Sequence, residues 1–390
     1  MLEYFLYVCA VVVRAGSFYY LALILSPAEF VLYNSYVYYS DLFMTVVNSG
    51  TVTAFAGRGA ARRQLPVALV FEGSFVLALV ALYWVKLQID PSILGLHTGL
   101  LFLLPLLRTL NLVFSRYFLF SQSVSRSNLN DLLGNCSWIG VVVILRWAFG
   151  PTSLENYFWV WVGCLALGVA GNTWTCREWL RVSGLGRELW GYWAIYLKSF
   201  HFTLIHRVYG TLEKIIVVHK FGASTDASSY LMASKVTGLA AEMSGGFAVS
   251  AASNRIGTRS ESGLGEERYL NRLVVLNLVL LIGIGLGIVV CSDWIFYFLK
   301  KQITADNMPL LIWLLLSSGC YQIHGIFMVY LQKHGRLQFL FRASIFQAAL
   351  LGMILVLPLS LTGLVLVQIA GLASLLAADF IVYRKARPQQ

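Results

Sequence analysis

The sequence predicts an all-α, polytopic membrane protein with about twelve transmembrane helices in two six-helix bundles and both termini in the cytoplasm. The first observation is composition: 58% of the 390 residues are hydrophobic and 12% are charged, whereas about a quarter of the residues in a soluble domain are charged. The second is a mean hydropathy of +0.72. The third is the placement of basic residues between the apolar runs. Because one span needs about 20 apolar residues, the chain has room for about twelve.

Apolar runs divide the chain into the predicted spans. They cover residues 3–25, 30–56, 65–85, 94–118, 132–149, 157–175, 191–218, 227–251, 273–298, 308–331, 338–360 and 362–383. The N-terminus lacks a basic segment and a small-residue cleavage site, so we expect the first run to be retained as a helix. The predicted organisation is an N-terminal bundle 1–176, a cytoplasmic linker 177–190, a C-terminal bundle 191–384 and a cytoplasmic tail 385–390.

Lysine and arginine concentrate on every second connection between these spans. One set of connections holds eighteen of these residues and the alternate set holds four. Because short cytoplasmic loops carry an excess of lysine and arginine, the bias predicts an even number of spans and cytoplasmic termini. The eighteen are Arg58, Arg62, Arg63, Arg116, Arg126, Arg177, Arg181, Arg187, Arg255, Arg259, Arg268, Arg272, Lys333, Arg336, Arg342, Arg384, Lys385 and Arg387. The four are Lys86, Lys220, Lys300 and Lys301.

The remaining composition narrows the classes of function. The net charge of +11 is explained by this topology and by anionic lipid head groups, so nucleic acid is not an expected partner. Six cysteines are scattered without a C-x-x-C motif or a Cys/His cluster, which is typical of small core residues. The chain has no G-x-x-x-x-G-K-[ST] phosphate loop, which argues against ATP hydrolysis. We expect no catalytic residue, metal or cofactor.

Basic residues inside the predicted spans are the candidate cargo-binding groups. A charge near the bilayer centre costs a few kcal/mol even on lenient scales, so such residues normally face a hydrated cavity or pair with one another. Arg207 and Lys214 are seven residues apart and project from one face of a helix, where two cations could bind a pyrophosphate. Pairing with acids inside the bundle is the alternative. The candidates are Arg14, Arg108, Lys198, Arg207, Lys214 and Lys235.

Acidic residues inside the spans are the candidates for coupling transport to protons or sodium ions. They are Asp41, Glu72, Glu213 and Glu242. Desolvation disfavours the charged form of a buried carboxylate, so such a group can exchange a proton near neutral pH. The alternative is that these acids only balance basic residues within the bundle. Single histidines in apolar runs, His206 and His324, are expected to be core residues.

Two turns of the sequence resemble segments of a known family. Leu25-Ser26-Pro27-Ala28-Glu29-Phe30, followed by Tyr33-Asn34, resembles the first external turn of polysaccharide (O-antigen, Wzx-type) flippases. These belong to the multidrug/oligosaccharidyl-lipid/polysaccharide exporter superfamily. Glu213-Lys214 with Phe221-Gly222-Ala223 and Tyr230 resembles the segment that opens the second half of those flippases. Residues 25–33 and 222–230 both place an acid four residues before a tyrosine, which suggests an internal repeat about an axis along the membrane normal.

The resemblance implies a function, a location and partners. It implies a flippase in the bacterial inner membrane that moves an undecaprenyl-pyrophosphate-linked oligosaccharide from the cytoplasmic to the periplasmic leaflet by alternating access. The implied partners are that lipid-linked sugar, membrane lipids, a polysaccharide polymerase and chain-length proteins. Three alternatives stay open: a multidrug or ion antiporter of the same superfamily, an integral-membrane polysaccharide polymerase or ligase, and a structural subunit without transport activity.

Overall fold

The computed structural model describes residues 2–48, 51, 55, 60–89, 98–121, 124–180, 185–222, 224–241, 264–299, 307–333 and 337–386. Regular secondary structure in these ranges is helical throughout. The first part of the chain forms α1 (Leu2–Ile24), α2 (Pro27–Val47), α3 (Ala60–Ile89), α4 (Thr98–Phe120), α5 (Val124–Asp131), a π-helical turn (Leu132–Cys136), α6 (Ser137–Phe149), α7 (Leu154–Thr175) and a 3-10 turn (Arg177–Trp179). The remainder forms α8 (Leu185–Phe221), α9 (Thr225–Ala241), α10 (Leu264–Val290), α11 (Ser292–Leu299), α12 (Met308–Lys333), α13 (Leu337–Val356) and α14 (Leu361–Ala386).

Each predicted span overlaps at least one of these helices. Within the described residues, seven helical segments are long and apolar enough to cross a membrane by length and composition. They are Arg63–Trp84, Gly99–Phe118, Leu132–Phe149, Leu154–Thr175, Arg268–Val290, Met308–Met328 and Leu361–Arg384. α8 is not among these segments. The count of twelve spans and the cytoplasmic position of the termini stay predictions.

The chain forms two compact units. Unit one comprises Met1–Leu21 and Leu32–Ile215, and unit two comprises Ala22–Val31 and Ile216–Gln390. The boundary on the C-terminal side falls inside α8, so this helix contributes residues to both units. The bundle limits predicted from the sequence divide the chain by order alone and stay a prediction.

α4 is the central helix of unit one. It packs against α3, α5 and α7. Amide side chains join three of these helices: Asn130 Nδ2 on α5 donates to the Asn111 carbonyl oxygen on α4 at 3.1 Å, and Asn172 Nδ2 on α7 donates to Asn130 Oδ1 at 2.5 Å. Asn130 Nδ2 also lies 2.6 Å from the Ser115 hydroxyl. Because lipid offers no competing partner, such amide contacts specify how the helices fit together.

α12 has the corresponding place in unit two. It packs against α9, α10, α13 and α14. α4 overlaps the fourth predicted span and contacts the helices of the third and sixth predicted spans. α12 overlaps the tenth predicted span and contacts the helices of the ninth and twelfth predicted spans. These two pairs of neighbours correspond, but α12 also packs against α9, the eighth span, whereas α2, the second span, is not among the main neighbours of α4. The internal repeat stays a prediction.

Helix capping explains the acid-containing turns that carry the family resemblance. Ser26 precedes Pro27 at the start of α2, and Glu29 Oε2 accepts from the Ser26 backbone N–H at 2.9 Å and from its hydroxyl at 2.8 Å. This is a capping box with proline in the first turn. In the second turn, Ser224 Oγ accepts from the backbone N–H of Ala227 at 3.2 Å, and Asp226 lies in the first turn of α9. Both acids therefore lie where the partial positive charge of a helix N-terminus favours them.

Candidate functional site

A partly buried ion pair in unit one joins α2 to α4. Arg108 Nη2 donates to Asp41 Oδ1 at 2.5 Å, and the two side chains are 11% and 24% exposed. Arg108 Nη1 also lies 3.4 Å from the carbonyl oxygen of Val37. The guanidinium carbon is 5.0 Å from the centre of the Trp161 ring, which is a cation–π distance. Arg108 is therefore held from three sides and neutralised by Asp41.

Aromatic rings surround this ion pair on the helices that hold it. Tyr33 on α2 stacks on Phe158 of α7 with ring centres 5.6 Å apart, and Tyr36 lies 5.4 Å from the same ring. Trp138 on α6 stacks on Trp161 at 5.1 Å. Tyr33 and Tyr36 are three residues apart and share a face of α2, so both rings pack on Phe158 of α7. The packed rings keep the Arg108 side chain out of bulk water.

Glu213 and Lys214 on α8 lie close to the same part of α2. Lys214 Nζ is 5.8 Å from the centre of the Tyr38 ring, and Glu213 is buried. The charges of both Asp41 and Glu213 act on the Tyr38 hydroxyl. We refer to Tyr38, Asp41, Arg108, Glu213 and Lys214 as the Tyr38 cluster. The charges of its two acidic and two basic side chains sum to zero.

Glu72 belongs to a second polar group in unit one. Its side chain is fully buried, and Oε1 accepts hydrogen bonds from the Thr51 hydroxyl and, at 2.5 Å, from the Tyr192 hydroxyl. Oε2 has no hydrogen-bond partner among the described residues. Arg116 acts electrostatically on Glu72 while its Nη1 donates to the Asn48 carbonyl oxygen at 2.5 Å. We refer to Asn48, Thr51, Glu72, Arg116 and Tyr192 as the Glu72 network.

Unit two contains a buried ionisable pair that the sequence did not identify. His324 Nδ1 on α12 lies 2.6 Å from Asp379 Oδ2 on α14, and the side chains are 1% and 0% exposed. The sequence predicted His324 as a core residue; it is buried, but it contacts an acid. The two residues are 55 positions apart, and no local pattern joins them. The sequence feature that indicated the pair was the presence of an ionisable residue inside each of two apolar runs.

The structure thus brings together some of the predicted site residues and separates others. Asp41, Arg108, Glu213 and Lys214 meet in the Tyr38 cluster, whereas Glu72 belongs to its own network. Lys235 is half-buried on α9 in unit two. Arg14 lies on α1, and Lys198, His206 and Arg207 lie on α8; their side chains fall outside the part that the structure describes, as does the whole of Glu242.

The comparisons with known proteins identify the fold. No family model and no curated protein matches the sequence. Among solved structures, an outward-facing multidrug resistance transporter of the MATE family, in the MOP superfamily, matches with a TM-score of 0.65 and 13% identity over 98% of this chain and 94% of that chain. The lipid II flippase MurJ in an inward closed conformation matches with a TM-score of 0.64 and 16% identity, over 98% and 87%. An inward-facing MATE transporter matches with a TM-score of 0.58 and 14% identity, over 96% and 97%.

The chain has the fold of the MATE transporters and MurJ. Seven of its described helical segments are also long and apolar enough to cross a membrane, which agrees with a multi-pass membrane protein. The fold is shared by proteins named for drug resistance and by one named for flipping a lipid. The fold alone therefore does not distinguish between these two functions.

Proposed function

We propose that the chain is a flippase that moves an undecaprenyl-pyrophosphate-linked oligosaccharide, such as an O-antigen repeat unit, across the bacterial inner membrane. The observation that carries the proposal is the fold it shares with a lipid flippase along 98% of its length. The cargo would enter from the cytoplasmic leaflet and leave to the periplasmic leaflet. Its polyprenyl tail would stay in lipid while the head group crosses between the helices, with no covalent step.

The basic residues on the helices support an anionic cargo. Arg14 on α1 and Lys198 and Arg207 on α8 occupy helical positions within predicted spans. Their positive charges come in addition to those of the Tyr38 cluster, whose acids and bases balance. A pyrophosphate needs cationic partners, arginine through its planar fork and lysine as a point charge. The turns at residues 25–33 and 222–230 support the polysaccharide branch of the superfamily through their resemblance to it.

Multidrug export is the second candidate, and the fold supports it equally. MATE transporters match at TM-scores of 0.65 and 0.58. Buried acids suit cationic drugs, and unit one buries Glu72 and Glu213. The two candidates differ in the sign of the charge that the cargo must carry, which makes them separable by experiment.

The deciding experiment measures flipping in vesicles of the purified protein. We expect a fluorescent undecaprenyl-pyrophosphate oligosaccharide to cross the bilayer faster than in empty vesicles, and the cationic dye ethidium not to be transported. Reversing both charges with Arg207→Glu and Lys214→Glu should slow flipping at least about tenfold, the equivalent of roughly 1.4 kcal/mol in the barrier.

Arg187→Glu is the matched control because Arg187 is exposed near the start of the same helix. We expect it to flip the lipid at the wild-type rate. Transport of ethidium without flipping of the lipid would replace the flippase by a multidrug exporter. Unchanged flipping by the doubly reversed variant would remove Arg207 and Lys214 from the cargo path.

A further inference from the structure

The His324–Asp379 pair joins two helices of unit two near their C-terminal ends. His324 is 9 residues before the last residue of α12, and Asp379 is 7 residues before the last residue of α14. At about 1.5 Å per residue, they lie roughly 14 Å and 10 Å from those ends. Asp379 Oδ2 contacts the imidazole, and Asp379 Oδ1 is buried with no hydrogen-bond partner among the described residues.

The proton count of this pair determines its charge. A neutral imidazole beside an ionised carboxylate carries a charge of −1 in total. One added proton brings the total to zero, whether it is held on the imidazole or on the carboxyl group. A net charge is costly in an apolar interior. The buried pair therefore favours the state with the added proton, and water reaching the pair would favour its release.

We propose that His324 and Asp379 form a proton-binding site in unit two, which takes up one proton when buried and releases it when hydrated. Because the two groups interact directly, the proton belongs to the pair rather than to either residue. The binding of the proton stands on the geometry alone. Its use to drive transport rests on the proposed function.

The chemistry of the pair favours a proton over a metal cation. Hard cations such as Ca²⁺ and Mg²⁺ take sets of six or more oxygen ligands, and the same preference for oxygen applies to Na⁺. Here a ring nitrogen already occupies one carboxylate oxygen of Asp379. A proton needs only that nitrogen and those oxygens.

Most of the described charged residues on the neighbouring helices are exposed, unlike His324 and Asp379. α12 packs against α9, α10, α13 and α14. The charged residues described on those helices are Asp226 and Lys235 on α9, Arg268 and Arg272 on α10, Arg342 on α13 and Arg384 on α14. All except half-buried Lys235 are exposed, and the charged group that acts on Asp379 is His324. The phenols on the paired helices are Tyr321 and Tyr330 on α12 and Tyr383 on α14. Tyr330 and Tyr383 pack against each other with ring centres 5.2 Å apart.

Infrared titration of the full-length protein in lipid nanodiscs tests the site without any cargo. We expect the infrared spectrum of the wild type to contain a band of the protonated pair that disappears at alkaline pH, either the carbonyl stretch of a buried carboxyl group or a ring mode of the imidazolium. Asp379→Asn should remove this band. His324→Gln should move its midpoint by at least about one pH unit, the size of change produced when a direct partner is lost.

Two exposed residues of the same types provide controls. Asp293→Asn and His219→Gln should leave the band and its midpoint unchanged. A wild-type protein without a titrating band of either kind would overturn the site even if the variants fail to fold. So would a pH-dependent spectrum that is identical in Asp379→Asn and the wild type, or a band that sodium chloride removes and choline chloride does not.

Vesicles then test how the proton is used. Flipping by the wild type should respond to an imposed pH gradient, and flipping by Asp379→Asn should not. Flipping that ignores the gradient in the wild type would overturn the coupling role. Absence of flipping in every vesicle would count against the proposed function, whereas the infrared band would still report the proton site.

Discussion

Arg108 illustrates how a single cation is accommodated inside this bundle. Its charge is met by Asp41, one N–H points at the Val37 carbonyl oxygen, and its flat face lies over Trp161. Removing one partner of a buried ion pair leaves the other charge unpaired, which is much more costly than replacing both. These contacts therefore predict a strong coupling between Arg108 and Asp41 in measurements of the free energy of unfolding.

Asp41→Asn should lower the free energy of unfolding by about 3 kcal/mol because it leaves Arg108 with an uncompensated charge. Arg108→Gln should have a similar cost. The double variant should lose less than the sum of the two, by roughly 2 kcal/mol. Denaturant unfolding in detergent, followed by circular dichroism, measures all three.

Glu188→Gln is the matched control because Glu188 is exposed in the first turn of α8. Its effect should stay within about 0.5 kcal/mol. Strictly additive effects of the Asp41 and Arg108 substitutions would show that the two side chains do not stabilise each other.

Packing of individual helices depends on close contacts at particular glycines. A Cβ atom at Gly134, in the π-helical turn, would lie 2.4 Å from Asn111 Nδ2 and 2.9 Å from its Cγ. Asn111 also supplies the carbonyl oxygen that Asn130 contacts. The turn between α5 and α6 therefore approaches α4 at a point where the amide contacts leave little room.

Gly134→Ala should destabilise unit one by about 1–3 kcal/mol because the Asn111 side chain must move away from the new methyl group. Gly140→Ala on α6 is the control, since a Cβ atom there meets nothing within 4 Å. In a helix interior that change should stabilise by up to about 1 kcal/mol. Thermal unfolding of both variants measures the difference. Equal midpoints would mean that the turn does not pack as described.

α8 is the element for which hydropathy was least informative. Its 37 residues run from Leu185 to Phe221, about 55 Å of helix. The sequence predicted a linker up to residue 190 and a span from 191 to 218, because hydropathy detects only the apolar part of a helix. Backbone hydrogen bonding continues through Arg187 and Glu188, whose side chains remain exposed.

At the scale of the whole molecule, the chain has the fold found in the MATE transporters and MurJ. α4 and α12 each pack against the helices of corresponding predicted spans. The distribution of eighteen basic residues on one set of connections and four on the other predicts how this fold is oriented in the membrane. The sidedness is therefore testable by itself, independently of any cargo.

Reporter fusions should place both termini in the cytoplasm. A fluorescent protein fused after Gln390 should fluoresce, because it folds in the cytoplasm, and alkaline phosphatase fused after Gly222 should be active in the periplasm. The controls are alkaline phosphatase fused after Gln390 and the fluorescent protein fused after Gly222. We expect the first to be inactive and the second not to fluoresce. An active phosphatase at the C-terminus would contradict the even number of spans.

The sequence by itself predicted the membrane class, the helical content and the approximate position of each long helix. These properties depend on residues that are close along the chain: apolar runs, capping residues and the basic connections between them. It also identified Asp41, Glu72, Arg108, Glu213 and Lys214 as unusual, because a charge inside an apolar run is visible without coordinates.

Only the tertiary structure decided which of these groups meet. Arg108 and Asp41 are 67 positions apart, Tyr192 and Glu72 are 120 apart, and His324 and Asp379 are 55 apart. The sequence pattern around a buried charge is the same whichever residue the charge contacts in the folded protein. The partner is selected by how helices distant in sequence pack, since desolvation makes an unpaired charge costly and the packing determines which opposite charge is within reach.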